Sequence, residues 1–329
     1  MKPQVSIIIP CRNEAKTITY LLQALYGQSF PLEAMQVVIA DGFSEDSTRE
    51  QISLFAQNHS ELQIKVVDNP KKIIPSGLNR AIEASEGEFI VRLDAHSIPS
   101  ADYVQRSVSA LKENVAENVG GVWDIRPQNN SATARAIAAA AGHPLAVGGA
   151  KYRYSQHPEY VETVPFGAWK RSTLLNLCGF DETLLTNEDY ELNTRLSAQG
   201  GRIYLDPQIR SVYFSRPDFK SLAQQYWRYG FWKAQMLKRY PGSLKLRQAL
   251  PPIMVAGFAF LLLLSSMFAP LRPVFLAAVG FYLFILLAIG TQIAIKKKDI
   301  MMIPLVALAI AMMHVAWGSG FLLGSIKTP

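Results

Sequence analysis

Three stretches near the end of the chain constrain its fold more than any other feature. They are "PPIMVAGFAFLLLLSSMFA" (251–269), "VFLAAVGFYLFILLAIGTQIAI" (274–295) and "IMMIPLVALAIAMMHVAWGSGFLLG" (300–324). None carries Lys, Arg, Asp or Glu, and each approaches or exceeds the roughly 20 apolar residues that span a bilayer. From residue 251 onward the only charges are Arg272, Lys296, Lys297, Lys298, Lys327 and Asp299. The reading is three membrane-spanning helices over 251–329. The segment before them, 219–250, holds Arg228, Lys233, Lys238, Arg239, Lys245 and Arg247 and no acid. The positive-inside bias predicts that this basic segment and Lys296–Lys298 face the cytoplasm. The connector with Arg272 and the C-terminus are then expected outside, and His314 is expected to be packed or hydrogen-bonded.

The formal net charge of +7 therefore reflects the membrane-proximal part. The first 250 residues hold 28 basic and 25 acidic groups, an ordinary balance that does not suggest a nucleic-acid partner. Cys11 and Cys178 make no metal or disulfide spacing and are expected to be buried reduced thiols. The chain starts directly with strand-like "QVSIIIP", so no cleavable signal peptide is expected.

Up to residue 218 the pattern alternates. Strands "VSIIIP", "MQVVIADG", "QIKVVDN" and "EFIVRLDAH" are separated by helices at "AKTITYLLQALYGQ", "SEDSTREQISLFAQN" and "PSGLNRAIEASEG". Continuous apolar strands alternating with helices predict a mostly parallel α/β sheet covered on both faces. Ligands bind such sheets beyond the carboxyl ends of the strands. Pro10–Glu14, Asp41, Asp68, and Asp94 with His96 stand there as an acidic rim. On an extended strand Asp94 and His96 would point to one face. There an aspartate oxygen and an imidazole suit Mn²⁺ or Mg²⁺, with diphosphate oxygens completing the shell. Asp41 in "ADGFSEDST" can accept a hydrogen bond from a base N–H, and Ser44 can cap the next helix. Lys71, Lys72 and the helix start near Gly77 offer charge and N–H groups to phosphate. Each of these residues also fits a plain turn, cap or solvated surface.

The ordered set P-C-R-N-E (10–14), A-D-G-F-S (40–44), R-L-D-A-H (92–96) and N-E-D-Y-E-L (187–192) resembles the family 2 glycosyltransferases of GT-A fold. The likeness extends over about residues 4–240. It is nearest to the bacterial succinoglycan-type exopolysaccharide glucosyltransferases, where D-A-H replaces D-x-D. The resemblance implies inverting transfer of a sugar from a UDP-sugar. It assigns Pro10, Arg12, Glu14, Asp41 and Asp94 to the donor, Asp94 and His96 to the metal, and Asp189, beside Glu188, to the catalytic base. Acids in a first helical turn also meet the positive end of the helix dipole, a structural reason for the same pair. In "QQYWR" (224–228) Trp227 and Arg228 are swapped relative to the processive synthases' signature. This favours addition of one sugar at a time, with Arg228 on one helix face with Gln224 and in reach of donor phosphate. The aromatic and basic residues around it fit a helix lying at the membrane surface.

The expected organisation is a GT-A catalytic domain (1–218), amphipathic juxtamembrane helices (219–250) and the membrane helices (251–329). The expected acceptor is a lipid-linked saccharide at a bacterial inner membrane, with possible partners in a polysaccharide assembly system. Two rivals are a polyprenyl-phosphate sugar transferase of the same fold and a non-catalytic nucleotide-sugar-binding membrane subunit. An oxidoreductase is disfavoured because C-R-N-E, not G-x-G-x-x-G, follows the first strand.

Overall fold

The computed structural model describes residues 2–327. Its first half is an alternation of strands and helices: β1 (Val5–Cys11), α1 (Ile18–Tyr26), β2 (Met35–Asp41), α2 (Thr48–Asn58), β3 (Gln63–Asp68), α3 (Ile74–Ala84) and β4 (Phe89–Arg92). After it come β5 (Ile98–Pro99), α4 (Tyr103–Lys112), β6 (Asn118–Pro127), α5 (Ala132–Ala141), α6 (Pro144–Val147) and β7 (Glu159–Tyr160). The chain continues with β8 (Ala168–Lys170), α7 (Arg171–Asn176), α8 (Glu188–Ala198), β9 (Ile203–Ser215) and α9 (Phe219–Arg239). It ends in α10 (Leu246–Met267), α11 (Arg272–Lys297) and α12 (Met302–Ile326).

The sheet runs in the order β3-β2-β1-β4-β8-β6-β9-β5, with β7 paired to β9. β3, β2, β1 and β4 are mutually parallel, as the alternation predicts, and β8 adds to β4 antiparallel. Both faces are covered. Ile7, Ile9, Val37 and Ile39 pack on one side with Leu21, Leu22 and Val104; Ile8, Val38 and Ile90 pack on the other with Leu78 and Ile82. Successive β-residues alternate between two apolar layers, so these strands read as unbroken hydrophobic runs. The register sets Cys11 beside Asp41 and Asp41 beside Asp68, which aligns three strand ends.

Two compact units emerge. One comprises residues up to Asp124 with Lys151–Tyr213; the other comprises Ile125–Ala150 and the chain from Phe214 on. Residues 125–150, within the range expected to be catalytic, thus group with the C-terminal helices. The reason is apolar: Ala136, Ile137 and Ala140 of α5 are buried with Leu222, Tyr226, Val306, Ile310 and Met313. Three helices in this unit are long and apolar enough to cross a membrane. His314 has both ring nitrogens engaged, with the Tyr282 hydroxyl and the Leu145 carbonyl, each at 3.0 Å. Cys11 is buried, but Cys178 is exposed, contrary to expectation, on a turn where its φ is 58°.

Candidate active site

The expected strand through Asp94 and His96 stops earlier. β4 ends at Arg92, and Ser97 N–H donates to the Asp94 carbonyl at 2.9 Å, closing a turn whose central residues are Ala95 and His96. Before the chain turns, Arg92 N–H donates to the Gly167 carbonyl and Leu93 N–H to that of Ile8. Strand alternation therefore does not orient Asp94 and His96; a turn does. Asp94 Oδ1 accepts from Arg92 Nη2 at 3.1 Å, whereas His96 Nδ1 lies 3.1 Å from Glu14 Oε1. Glu14 is itself fixed by the Thr17 hydroxyl at 2.5 Å.

The centre of the site is a residue the sequence reading passed over. Arg92, 2% exposed, spreads its guanidinium across three carboxylates. Nη1 donates to Asp189, and Nη2 donates to Glu188 at 2.9 Å and to Asp94. A buried guanidinium is retained only where its charge is matched, and here both Nη atoms are bonded while Nε is buried without a partner among the described residues. The signal was present: an arginine inside the apolar run F-I-V-R-L must find acids somewhere in the fold.

Asp189 and Glu188 open α8, preceded by Asn187 in the left-handed region at φ 70°. The Phe166 amide also donates to the Asp189 carboxylate. Phe166 and Gly167 both take positive φ, 62° and 90°, which turns that amide and the Gly167 carbonyl toward α8 and β4 respectively. Such a conformation at phenylalanine costs about 1–3 kcal/mol and persists because its surroundings hold it. Burial pushes the Asp189 carboxyl well above the ordinary carboxylate range. Arg92 opposes this, Glu188 and Asp94 add to it, and the Phe166 amide opposes it again. Three carboxylates share one guanidinium, so the proton preference rises despite the ion pair.

A second constellation surrounds Asp41, whose side chain is fully buried. Oδ1 accepts from the Ser44 hydroxyl at 2.5 Å; Oδ2 accepts from Ser44 N–H at 3.1 Å and Arg49 Nε at 2.6 Å. Burial raises its proton affinity, but the Ser44 and Arg49 interactions outweigh that and hold the carboxyl below its usual range. Ser44 thus closes its own loop instead of capping α2. Arg49 also reaches Asp68, so the rim's acidity is largely balanced by two arginines. Arg49 and Lys72 each lie 5.8 Å from the ring centre of Phe43, which is 41% exposed. Lys71 pairs with Glu182 at 2.6 Å. The stem of Arg12 packs on Gly42, and its guanidinium stands 3.9 Å from Glu45. Pro10 lies against Gly77 at the start of α3. Arg228 is exposed on α9, in the other unit.

Among the described residues no three His, Cys, Asp or Glu side chains converge as metal ligands. Asp94 and His96 offer one oxygen-donor and one nitrogen-donor side chain, a pair that fits Mn²⁺ when substrate oxygens and water supply the rest.

Residues 6–174 match the family model for Glycosyl transferase family 2. The chain is 33% identical over 317 residues to the succinoglycan biosynthesis protein ExoA of Rhizobium meliloti (strain 1021), covering 96% of this chain and 93% of that protein. It is 28% identical over 333 residues to a dolichyl N-acetyl-alpha-D-glucosaminyl phosphate 3-beta-D-2,3-diacetamido-2,3-dideoxy-beta-D-glucuronosyltransferase of Methanococcus voltae, covering 98% and 97% respectively. Among solved structures it is similar to the mannosyltransferase PcManGT from Pyrobaculum calidifontis in complex with GDP-Man and Mn²⁺. That match has a TM-score of 0.58 and 22% identity, and covers 95% of this chain and 87% of that one, a likeness of fold.

Proposed function

The chain belongs to glycosyl transferase family 2 and is a glycosyltransferase, and from that premise we propose that it inverts configuration while moving one sugar from a UDP-sugar to a hydroxyl of a lipid-linked saccharide. The observation that carries this is the buried bridge from Arg92 to Asp94 and Asp189. One guanidinium ties a donor-side acid to a carboxylate whose surroundings raise its affinity for a proton.

Asp189 accepts the proton of the acceptor hydroxyl as that oxygen attacks the anomeric carbon. General bases work best when their proton affinity is near the operating pH, and burial moves Asp189 that way. Arg92 and the Phe166 amide fix the carboxylate's direction, so little reorganisation is needed. Asp94 and His96 would hold a divalent cation at the donor diphosphate; its charge would stabilise the departing nucleoside diphosphate. Asp41 holds the loop 42–44 through Ser44, and Phe43, Lys72 and Arg12 would face the nucleotide. A single displacement needs no covalent sugar–enzyme species.

We favour the hydroxyl acceptor over a polyprenyl phosphate acceptor because a phosphate oxygen needs no base, the role this reading gives to Asp189. A non-catalytic nucleotide-sugar-binding subunit would likewise have no use for that base. The named lipid-linked substrate of the Methanococcus relative supports the acceptor class. We place the enzyme in the cytoplasmic membrane of a bacterium, its catalytic unit facing the nucleotide-sugar pool, within a polysaccharide assembly system. The test is to incubate membranes holding the protein with a panel of radiolabelled UDP-sugars, with and without Mn²⁺. Label should enter the lipid extract with one donor and vanish with Asp189→Asn. Label that survives Asp189→Asn would remove the hydroxyl-acceptor reading.

A further inference from the structure

Helices α9 and α12 lie side by side and run in parallel. A methyl group on Gly320 would stand 2.2 Å from the Trp227 carbonyl oxygen, one on Gly324 2.6 Å from that of Phe231, and one on Gly230 2.0 Å from that of Trp317. Glycine at these positions lets the two backbones touch. Further along, Gln235 Nε2 donates to the carbonyls of Gly324 and Lys327 at 2.8 and 2.7 Å, and Lys238 Nζ donates to that of Lys327 at 2.9 Å. The end of α12 is therefore gripped by the end of α9.

That grip conflicts with three successive crossings. α9 presents exposed Lys220, Arg228, Lys238 and Arg239, each too costly to hold in hydrocarbon. Only six residues separate Arg239 from Leu246, a span of at most about 25 Å when fully extended. They include the turn Pro241–Ser243, and Lys233 Nζ bonds the Ser243 carbonyl at 2.8 Å, folding the connector back along α9. A hydrocarbon core is about 30 Å thick, so α10 must enter from the side on which α9 lies. α10 and α11 then form an antiparallel hairpin, with Phe258 against Tyr282 and Arg272 Nε bonded to the Ser265 carbonyl. α11 thus returns to the starting side. If α12 crossed next, Lys327 would emerge on the far side, away from Gln235 and Lys238.

The base of the hairpin gives the same reading. Gly290, seven residues before the end of α11, abuts the Ile303 carbonyl, while Pro251, five residues into α10, abuts Gly318. These two contacts lie about 22 Å apart along α12, and between them His314 bonds the Tyr282 hydroxyl of α11, fifteen residues before that helix ends. A third span would instead meet the upper part of α10 at Gly318. α12 is also the most enclosed of the three apolar helices: 44% of its apolar 18-residue stretch is buried, against 11% and 17% for those of the other two. Part of its cover comes from α5 and α9, and Arg135 of α5 binds Asp299 at 2.9 Å just before α12 begins.

We propose that only α10 and α11 cross the bilayer, and that α12 lies across their base with α5 and α9 at headgroup level. The C-terminus is then on the side from which α10 enters, opposite to the placement that three alternating spans predict. The partner of this layer is an anionic lipid surface, met by Arg228, Lys238, Arg239 and Lys245 in a segment without acids.

The test uses the full-length chain with Cys11→Ser and Cys178→Ser, carrying single cysteines at Ser325→Cys, Lys220→Cys or Pro270→Cys. Sealed vesicles of each orientation are treated with a membrane-impermeant maleimide. Ser325→Cys is expected to label in the same orientation as Lys220→Cys, and Pro270→Cys in the opposite one. Labelling of Ser325→Cys together with Pro270→Cys overturns the proposal. So does protection of Ser325→Cys in both orientations while Lys220→Cys reacts. A protease site fused after Pro329 of the otherwise unaltered chain repeats the measurement without any change in α12.

Discussion

Arg92 donates to Asp189 from the end of a strand buried in the catalytic sheet, joining residues 97 positions apart. Its second nitrogen holds Glu188 and Asp94, so three carboxylates share one rigid cation.

Asp189→Asn should lower turnover by roughly 100- to 10,000-fold, the usual contribution of a general base. UDP affinity, read by calorimetry, should stay within a few-fold of wild type, because the role proposed for Asp189 is toward the acceptor. A comparable loss of UDP binding would assign Asp189 to the donor instead.

The pH dependence follows from the upward displacement of Asp189. Only the ionised carboxylate is a base, so turnover should fall as pH drops through the raised value, and the acidic limb should lie above the ordinary aspartate range near 4. Stability has the opposite sign. The fold binds this proton more tightly than the unfolded chain, so between the two values rising pH removes stability. Asp189→Asn should therefore melt no lower than wild type on the alkaline side, with its advantage shrinking in acid.

Arg92→Ala would leave three carboxylates together without their cation and should cost about 3–5 kcal/mol of stability. Arg92→Lys keeps the charge but loses the planar fork. It should recover most of the melting temperature while kcat stays depressed, with KM for the donor little changed. Full recovery of kcat by lysine would mean that charge alone, without direction, suffices.

Asp41→Ala removes the acceptor for Ser44 and Arg49 and should cost about 1.5–3 kcal/mol, the range for hydrogen bonds to a charged group. Asp41 lies below its ordinary proton affinity in the fold, so its contribution is present above the unfolded value and disappears as pH falls through the folded one. Melting curves from neutral pH downward should show the wild type converging on the variant.

Removal of divalent cations with a chelator should weaken UDP binding, and Asp94→Ala should make that binding indifferent to chelator. His96→Asp should retain the cation dependence and shift preference from Mn²⁺ toward Mg²⁺, the harder ion. Titration of UDP against each metal reads both outcomes.

Local pattern sufficed for much of this protein. Four parallel strands, the acids at their ends, the acidic start of α8 and the apolar tail follow from periodicity and composition, which act over a few residues. Three features came only with the tertiary structure. The bridge through Arg92 requires β4 and α8 to meet across nearly a hundred residues, and no local repeat encodes a buried charge's choice of partner. The turn after Arg92 sets Asp94 against Arg92 and His96 against Glu14, a pairing that strand alternation does not encode. The seat of α12 depends on glycines in two helices matching along a parallel contact. Hydrophobicity alone says that α12 must leave water; only its neighbours decide whether it leaves by crossing the membrane or by lying against α5 and α9.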